Sequence, residues 1–462
     1  MKSTTKHILL LLFAALIPFY GSSQNILSFS DSIFEYSLRS NTENEVGIIN
    51  AVCKNDSIVE IPNSVSYNDK IFTITYIGDK SFSQGTLYEV IIPNTIDSIG
   101  SYAFFYCENL TKATLPNSIK AIGANAFSYS GLNGKYEIPE SVFKIYTNAF
   151  YRTDITDFEI KSPYIVIGTE AFYNPKSLIF SAPNPEAIIL NSHICANSTN
   201  LETLSIPKNL FISNYDSYGP FRKSPNLKNI IWDDSITEIP QKLFKDCELD
   251  YIPPLPPLTK KIGPWAFDYN NITNIEIPDS IIEIGKYAFL FCKFTSFNVP
   301  SPIRVLKNRT FCGCSYLKHV TLPENLTLIE DGAFQHCSSL DTIVIPSKVT
   351  SIGYEAFYNV PLECITSLNP IPPKCEDYAF VSFDNCALYV PAGSVDAYRN
   401  DPIWGKFSSI NPINSSSIDR IESDSNDIHA EYYNLQGVKV ANPSNGIFIK
   451  VQGNKASKVF VK

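Results

Sequence analysis

A six-residue motif, Ile-Gly-x-x-Ala-Phe, recurs along this chain at intervals of 22 or 23 residues. A period of this length predicts a solenoid, whose stacked units bury together the apolar faces that no single unit can bury alone. Ile194 and Phe221 are the best substitutes where the motif weakens, which makes about 14 units. The motif phenylalanine, or its equivalent in weaker copies, is Phe82, Phe104, Phe127, Phe150, Phe172, Phe244, Phe267, Phe289, Phe311, Phe334, Phe357 and Phe380.

A second marker, an apolar residue followed by proline, keeps the same period. An apolar-x-apolar triplet such as Ala113-Thr114-Leu115 precedes the proline, and this alternation predicts a short strand with its middle residue outward. The proline ends the strand because it has no N–H to donate. A second short extended piece, a glycine turn and an inward Ala-Phe on a short turn or helical hook should complete each unit. The marker occurs at Ile92-Pro93, Leu115-Pro116, Ile138-Pro139, Ile206-Pro207, Ile277-Pro278, Val299-Pro300, Leu322-Pro323, Ile345-Pro346 and Val390-Pro391.

Together the two markers resemble the BspA-type leucine-rich repeat, from about Ile71 to Ile413. Residues 71–78 resemble the hairpin that leads into the first coil of that family. Residues 388–398, followed by Trp404, resemble its C-terminal closing unit. The resemblance implies a predominantly β, right-handed leucine-rich-repeat superhelix in secreted or surface proteins that bind other molecules. It implies no catalytic activity.

The ends of the chain differ from the array, which we place at residues 77–413. Residues 1–23 have the features of a signal peptide, with Lys2 and Lys6 before an apolar run too short to span a membrane. Residues 24–76 are predicted to cap the first coil. Residues 414–427 form a polar linker. We therefore expect a protein without a transmembrane segment, secreted or at the cell surface.

The last segment, residues 428–462, alternates like a series of strands and resembles the type A C-terminal sorting domain of type IX secretion. Phe448 stands where that family usually has tyrosine. The resemblance implies that the protein reaches the exterior of a bacterial outer membrane. The alternative is a small β module that caps or extends the array.

The repeat degrades between Pro175 and Pro257, where Pro183 and Pro185 interrupt it and residues 251–257 are rich in proline. One interpretation is drift in a tolerant solenoid. The other is a bend or protruding loop that contacts a ligand, since insertions in solenoids lie in loops on one face. A hydrolase site hidden in this segment is a further hypothesis, which a filled coil would contradict.

The cysteines follow the repeat rather than a disulfide framework. Five of the eleven lie three residues after the repeat phenylalanine, which predicts buried core thiols: Cys107, Cys247, Cys292, Cys314 and Cys337. Cys364, Cys375 and Cys386 lie off this phase, so one bridge among them is the alternative.

A zinc site would need four converging ligands. The candidates on neighbouring coils are Cys312, Cys314, His319, His336 and Cys337. Because the repeat phase already explains two of these cysteines, and the histidines lie in different parts of the unit, we expect no metal.

Catalytic motifs are absent from the sequence. It contains no Gly-x-Ser-x-Gly, no His-Glu-x-x-His and no phosphate-binding glycine loop, so neither an enzyme nor a cofactor site is expected. A net charge of −9 argues against a nucleic-acid partner, which would require a basic surface.

The surface therefore carries the predicted function. The outward strand residues should form a ladder along the array and suit a protein partner, with the candidates Glu276, Asn298, Thr321, Val344 and Tyr389. Tyrosines just after the repeat phenylalanine form a second row that could anchor a protein or stack on sugars, with the candidates Tyr106, Tyr129 and Tyr151. We predict an adhesion or binding protein, and a carbohydrate-binding component of a glycan-uptake system is the alternative.

Overall fold

The computed structural model describes residues 28–413, except 41, 196, 214–216 and 382, and the backbone of 431–433, 446–452 and 455–461. The predicted signal peptide and linker lie outside the described residues. Over the described array the chain winds into a predominantly β solenoid of about 14 coils, which confirms the fold predicted from the period.

One side of the solenoid carries the strands that come before the prolines, and we call it the proline-side sheet. Strands of neighbouring coils pair in parallel in four separate groups, and Val90 lies opposite Ala113 in the first of them. In most strands the inward residue is buried and its neighbours face outward, whereas Val320 is half-buried. The strands are Ile58–Glu60, Glu89–Ile91, Lys112–Thr114, Asn133–Ile138, Asp154–Ile160, Ser177–Phe180, Thr203–Ile206, Asn229–Trp232, Ser296–Asn298, His319–Thr321, Thr342–Ile345, Cys364–Ser367, Ala387–Pro391 and Ser409–Ile413.

A second side carries shorter strands that come before the glycine position, and we call it the glycine-side sheet. At Gly123 an added Cβ would lie 2.5 Å from the carbonyl carbon of Gly100 in the preceding coil. Glycine is required there because the backbones of successive coils approach so closely. The strands are Lys70–Ile77, Ser98–Ile99, Ala121–Ile122, Lys144–Ile145, Tyr164–Ile167, Ala187–Leu190, Leu210–Ile212, Glu238–Ile239, Lys261–Ile262, Glu283–Ile284, Val305–Leu306, Leu328–Ile329, Ser351–Ile352 and Lys374–Cys375.

The N-terminal strands cover the first coil. Ser28–Ser30, Phe34–Leu38 and Glu45–Ala51 pair antiparallel, and Glu45–Ala51 then pairs in parallel with Lys70–Ile77. Ser64–Tyr67 forms a hairpin with the same strand. The buried Phe34 and Tyr36 side chains continue the apolar core beyond the first repeat.

The third side of each coil, which we call the hook, is a turn rather than a helix. Alternate N–H groups of one hook donate to carbonyls of the next, as Phe104 donates to Ala126 at 2.7 Å. The residues two positions before and two after the core phenylalanine adopt positive φ in most coils, for example Tyr102 at 59° and Tyr106 at 55°. The hook is thus a hydrogen-bonded ladder of its own.

The repeat phenylalanines form a continuous column inside the hooks. Centroids of successive rings lie between 4.9 and 6.2 Å apart, and the ring planes are within 19° of parallel. Ile194 and Phe221, both fully buried, continue the core between the two sets, as predicted.

The cysteines at the shared phase have a structural role that the sequence did not reveal. Each thiol donates a hydrogen bond to the phenylalanine carbonyl of the preceding coil, at 3.1 Å from Cys107 to Phe82 and 3.2 Å from Cys314 to Phe289. Asn270 occupies the same phase and donates to Phe244 at 2.7 Å. All eleven cysteines are free, which includes the three for which a bridge was the alternative.

The irregular segment contains regular coils over much of its length. Ser177–Phe180, Thr203–Ile206 and Asn229–Trp232 continue the proline-side sheet in parallel. Leu178 and Leu204 are buried within it. Among the described residues of 177–232, these filled coils favour drift over a protruding loop and count against a hydrolase cleft.

The prediction of a strand over Ile275-Glu276-Ile277 is wrong, because the structure has no strand at these residues. In the preceding coil, four of the five residues from Pro253 to Pro257 are proline and lack the N–H that a ladder needs. Of these five residues only Leu255 donates its N–H to the next coil, where the Glu276 carbonyl accepts it at 3.4 Å.

The C-terminal end of the array is closed by the few helical residues that the structure describes. They are a 3-10 turn at Ala392–Ser394, a helix at Val395–Arg399 and a second 3-10 turn at Trp404–Lys406. No helix in the described part of the chain is long and apolar enough to cross a membrane. Further along, Glu431–Tyr433, Gly446–Gln452 and Lys455–Val461 pair antiparallel as a separate three-stranded sheet.

Candidate functional site

The outward strand residues predicted as a binding ladder fall into two separate pieces. Asn298 lies opposite Thr321 in one piece. In the other, Val344 lies opposite Thr366, which lies opposite Tyr389. Glu276 is exposed but belongs to no strand. Asn298 and Val344 are exposed, whereas Thr321 and Tyr389 are half-buried. The sequence analysis missed Thr366 because its coil lacks the apolar-proline marker.

The first half of the proline-side sheet is occupied by ion pairs. Lys135 Nζ lies 2.7 Å from Glu159, and Lys161 Nζ lies 2.6 Å from Glu137. The Lys161 hydrogen bond lowers the pKa of Glu137, and Lys135 contributes less. Exposed pairs of this kind add little stability. They do leave this face electrically balanced, so it offers few free charges to a partner.

The three predicted tyrosines come together on the hooks of successive coils. The Tyr106 and Tyr129 rings stack with centroids 4.4 Å apart and planes 6° from parallel. Tyr151 meets Tyr129 edge-on at 6.0 Å, and Tyr173 meets Tyr151 edge-on at 5.2 Å. These tyrosines are neighbours because each lies one or two residues after the core phenylalanine, in successive coils that hydrogen-bond to one another.

Two further rings and one cation extend this surface. Phe105 lies 4.7 Å from Tyr106 and 5.2 Å from Tyr102, both edge-on. The Arg152 guanidinium carbon lies 5.5 Å from the centroid of Tyr129 and 5.8 Å from that of Tyr151, within cation–π distance. We define the tyrosine ladder as Tyr102, Phe105, Tyr106, Tyr129, Tyr151, Tyr173 and Arg152.

Tyr102, Tyr106 and Tyr129 of the ladder adopt the positive φ that is common to the hooks. Tyr106 and Tyr129 have φ of 55° and 57°, a conformation that bulky residues adopt at a cost. The same phase carries Asn359 and Gly313 in other coils, which tolerate it more easily. Tyr106 is still 40% exposed, so core packing offsets little of that cost.

Tyr269 and Tyr358 occupy the same hook positions as the ladder tyrosines, but in coils farther along the array. Tyr269 lies 4.5 Å from Phe291, with ring planes 42° apart. Tyr358 meets His336 edge-on at 5.9 Å. The row is therefore not continuous along the array, and the ladder is confined to its first third.

The zinc candidates are not assembled into a site. Cys314 and Cys337 donate to the Phe289 and Phe311 carbonyls at 3.2 and 3.1 Å. Cys312 contacts Gln335 instead. Within the ranges that the structure describes, no three His, Cys, Asp or Glu side chains are placed to hold a metal ion. Burial also raises the pKa of the Cys312 thiol to about 11, which makes it a weak nucleophile.

One carboxylate is buried in the hook, and no sequence pattern predicts its burial. Asp268 is 1% exposed, and its carboxylate lies 3.1 Å from Lys245 Nζ. Neither oxygen has a well-aligned hydrogen bond. Burial raises the pKa of Asp268 to about 6, although the Lys245 ammonium opposes the shift.

We expect Asp268→Asn to stabilise the protein at neutral pH. A carboxyl whose folded pKa exceeds its unfolded value stabilises the fold at low pH, and this contribution is lost as the pH rises through the folded pKa. The substitution should raise the free energy of unfolding by about 1–3 kcal/mol at pH 7.5 and by little at pH 4. Urea denaturation at both pH values, with the exposed Asp279→Asn as control, measures this. A loss of stability at pH 7.5 would show that the ion pair outweighs the burial.

The chain is similar to several solved structures, and the first of those named here shares its fold. A leucine-rich repeat protein from Bacteroides ovatus is 22% identical, with a TM-score of 0.56 over 84% of this chain and 100% of that one. The pneumococcal vaccine antigen PcpA is 18% identical, with a TM-score of 0.48, and the match covers 84% of this chain and 99% of that one. A leucine-rich cell surface protein from Faecalibacterium prausnitzii is 21% identical, with a TM-score of 0.35, and the match covers 75% of this chain and 96% of that one.

The sequence itself carries the family assignment. No curated protein matches the chain. The family model described as the BspA type leucine rich repeat region matches residues 59–179, 144–270 and 260–388, which together cover more than half of the chain. The chain therefore belongs to the BspA-type leucine-rich repeat family.

Proposed function

We propose that the chain is an exported adhesion protein that binds a host or neighbouring-cell protein through the tyrosine ladder. Members of this family are typically non-enzymatic binding proteins, and leucine-rich repeats usually bind proteins. The observation that carries the proposal is the stacked pair of the exposed Tyr106 and the half-buried Tyr129, with Arg152 beside it. Tyrosine and arginine are the residues most enriched among the dominant contacts of protein interfaces.

Ring geometry favours a protein over a sugar at this surface. The stacking of Tyr106 on Tyr129 covers one face of each ring, which leaves less aromatic face for a sugar. Ring edges and hydroxyl groups stay available, and these suit the mixed apolar and polar contacts of a protein interface. Tyr173, at the end of the ladder, is 37% exposed and supports the second candidate, a glycan-uptake component.

Export belongs to the same proposal. It rests on the predicted signal peptide at 1–23 and on the resemblance of 428–462 to a sorting domain. The three antiparallel strands between 431 and 461 are compatible with a β module in that segment. On this view the mature protein is displayed outside the cell, where the ladder faces partners directly.

Crosslinking on intact cells tests the ladder. We expect the triple substitution Tyr106→Ala, Tyr129→Ala and Tyr151→Ala to weaken capture of the protein partner by about 30-fold or more, as the loss of dominant interface residues does. The control replaces three surface tyrosines outside the ladder, Tyr88, Tyr251 and Tyr316, with alanine. Mass spectrometry of the crosslinked species identifies the partner, and circular dichroism checks the fold of both variants.

The outcomes separate the two candidates. Equal capture by the ladder variant and the control would refute a role for the ladder. Binding to a glycan array that the ladder substitutions abolish, without a crosslinked protein, would favour the carbohydrate candidate.

A further inference from the structure

Charge is segregated along the hooks. Taking the residues from three before to four after each core phenylalanine, the five coils from Phe221 to Phe311 carry seven Lys or Arg and three Asp or Glu. The three coils from Phe334 to Phe380 carry four acids and no Lys or Arg. We call the first group the middle hook surface. It is positive in a chain whose net charge is −9.

The cations of the middle hook surface are available to a ligand. Lys223, Lys286, Lys293 and Arg309 are exposed, and none forms an ion pair with another described residue. Lys286 Nζ lies 5.1 Å from the Trp265 ring centroid, and Lys245 Nζ lies 5.9 Å from it. Mutual repulsion among like charges makes such a surface favourable for binding an anion.

Aromatic side chains lie between these cations. The Trp265 and Tyr287 rings stack with centroids 5.0 Å apart and planes 4° from parallel. Tyr269 and Phe291 are 49% and 41% exposed, and their centroids are 4.5 Å apart. All four residues have φ between 55° and 60°, the costly conformation already seen in the tyrosine ladder.

We propose that the middle hook surface binds an acidic polysaccharide laid along the solenoid axis. Four of the five coils contribute a Lys or Arg to this surface, at different positions of the hook, and a flexible polymer with an anionic group on each sugar can reach several of them at once. The apolar faces of the sugars would pack against the exposed Tyr269 and Phe291. This site is distinct from the tyrosine ladder, and neither depends on the other.

Other polyanions fit less well. An acidic peptide can pair with the cations, but its carboxylate-bearing side chains offer no apolar face to Tyr269 and Phe291. Single-stranded nucleic acid stacks successive bases on a series of aromatic faces, whereas only Tyr269 and Phe291 are exposed among the four rings of this surface. A sugar polymer needs only these two exposed rings and the exposed cations.

The test measures binding of the full mature chain to three probes by isothermal titration calorimetry. They are heparin as a sulfated polysaccharide, dextran as a neutral one and poly-glutamate as an acidic peptide. The variant combines Lys286→Gln, Lys293→Gln and Arg309→Gln. The matched control combines Lys228→Gln, Lys260→Gln and Lys318→Gln, three exposed lysines outside the hooks with the same change in net charge.

We expect heparin to bind, dextran not to bind, and the hook variant to weaken heparin binding by about 10-fold or more at low salt, with a smaller effect when salt screens the charges. The control should bind as the native chain does. Absence of heparin binding, equal loss in variant and control, or poly-glutamate binding as tight as heparin would each overturn the proposal. These results are independent of the crosslinking result for the ladder.

Discussion

Replacing Phe311 with alanine is expected to lower the free energy of unfolding by about 3–5 kcal/mol. The Phe311 ring is fully buried and stacks between Phe289 at 5.7 Å and Phe334 at 5.6 Å, with Phe297 edge-on at 4.6 Å. Alanine would leave a cavity in the centre of the column. Four aromatic rings share this part of the core, so the neighbours cannot collapse fully into the space.

Denaturant unfolding and hydrogen exchange measure this effect together. Because each coil contacts only its neighbours, the loss of protection should be largest in the coils from Phe289 to Phe334 and should fade with distance. Phe143→Ala removes the same atoms from a side chain that is 39% exposed, and it should cost far less. An equal loss in both variants would show that the column does not carry the stability.

Replacing Trp404 with alanine should lower the free energy of unfolding by a comparable amount, about 3–5 kcal/mol, and should destabilise the C-terminal end of the array. Trp404 is fully buried, contacts the Phe380 ring at 5.1 Å and donates its indole N–H to the Pro373 carbonyl at 2.8 Å. It therefore closes the phenylalanine column. Its removal would open the last coil to water and leave that carbonyl without its indole donor.

A second variant separates packing from the hydrogen bond. Trp404→Phe retains most of the ring but removes the N–H donor. Its free energy of unfolding should therefore be about 1–2 kcal/mol higher than that of the alanine variant. Hydrogen exchange should show fraying from residue 413 toward Phe357 in Trp404→Ala. Fraying that begins at the N-terminal cap instead would contradict the role of Trp404 as the closing residue.

Much of the fold was predictable because one period dictates it. The phenylalanine column, the substitutes Ile194 and Phe221, and the buried phase of Cys107 all follow from spacing alone. Stacking places residues of one phase next to one another, so the sequence could also suggest Tyr106 and Tyr129 as neighbours. Phe105 shares its phase with Tyr151 and Tyr173, but the sequence prediction named tyrosines only.

What could not be predicted depends on contacts between coils. The strand at Glu276 is lost because prolines in the preceding coil remove its partners, and a triplet pattern within one unit does not show this. The positive φ of Tyr106 follows from the hook hydrogen bonds rather than from its residue type. The burial of Asp268 depends on the two coils on either side of it.

The orientation of the hydrogen bonds has a mechanical consequence. Both sheets and the hooks pair coil with coil, so their hydrogen bonds point along the solenoid axis. A pull along that axis stretches them directly, and the coils bear the load in series. The end coil would peel away first and release 22 or 23 residues, about 75 Å of extended chain, before its neighbour yields. A binder tethered at one end would thus lengthen in steps under shear while its remaining coils stay folded and engaged.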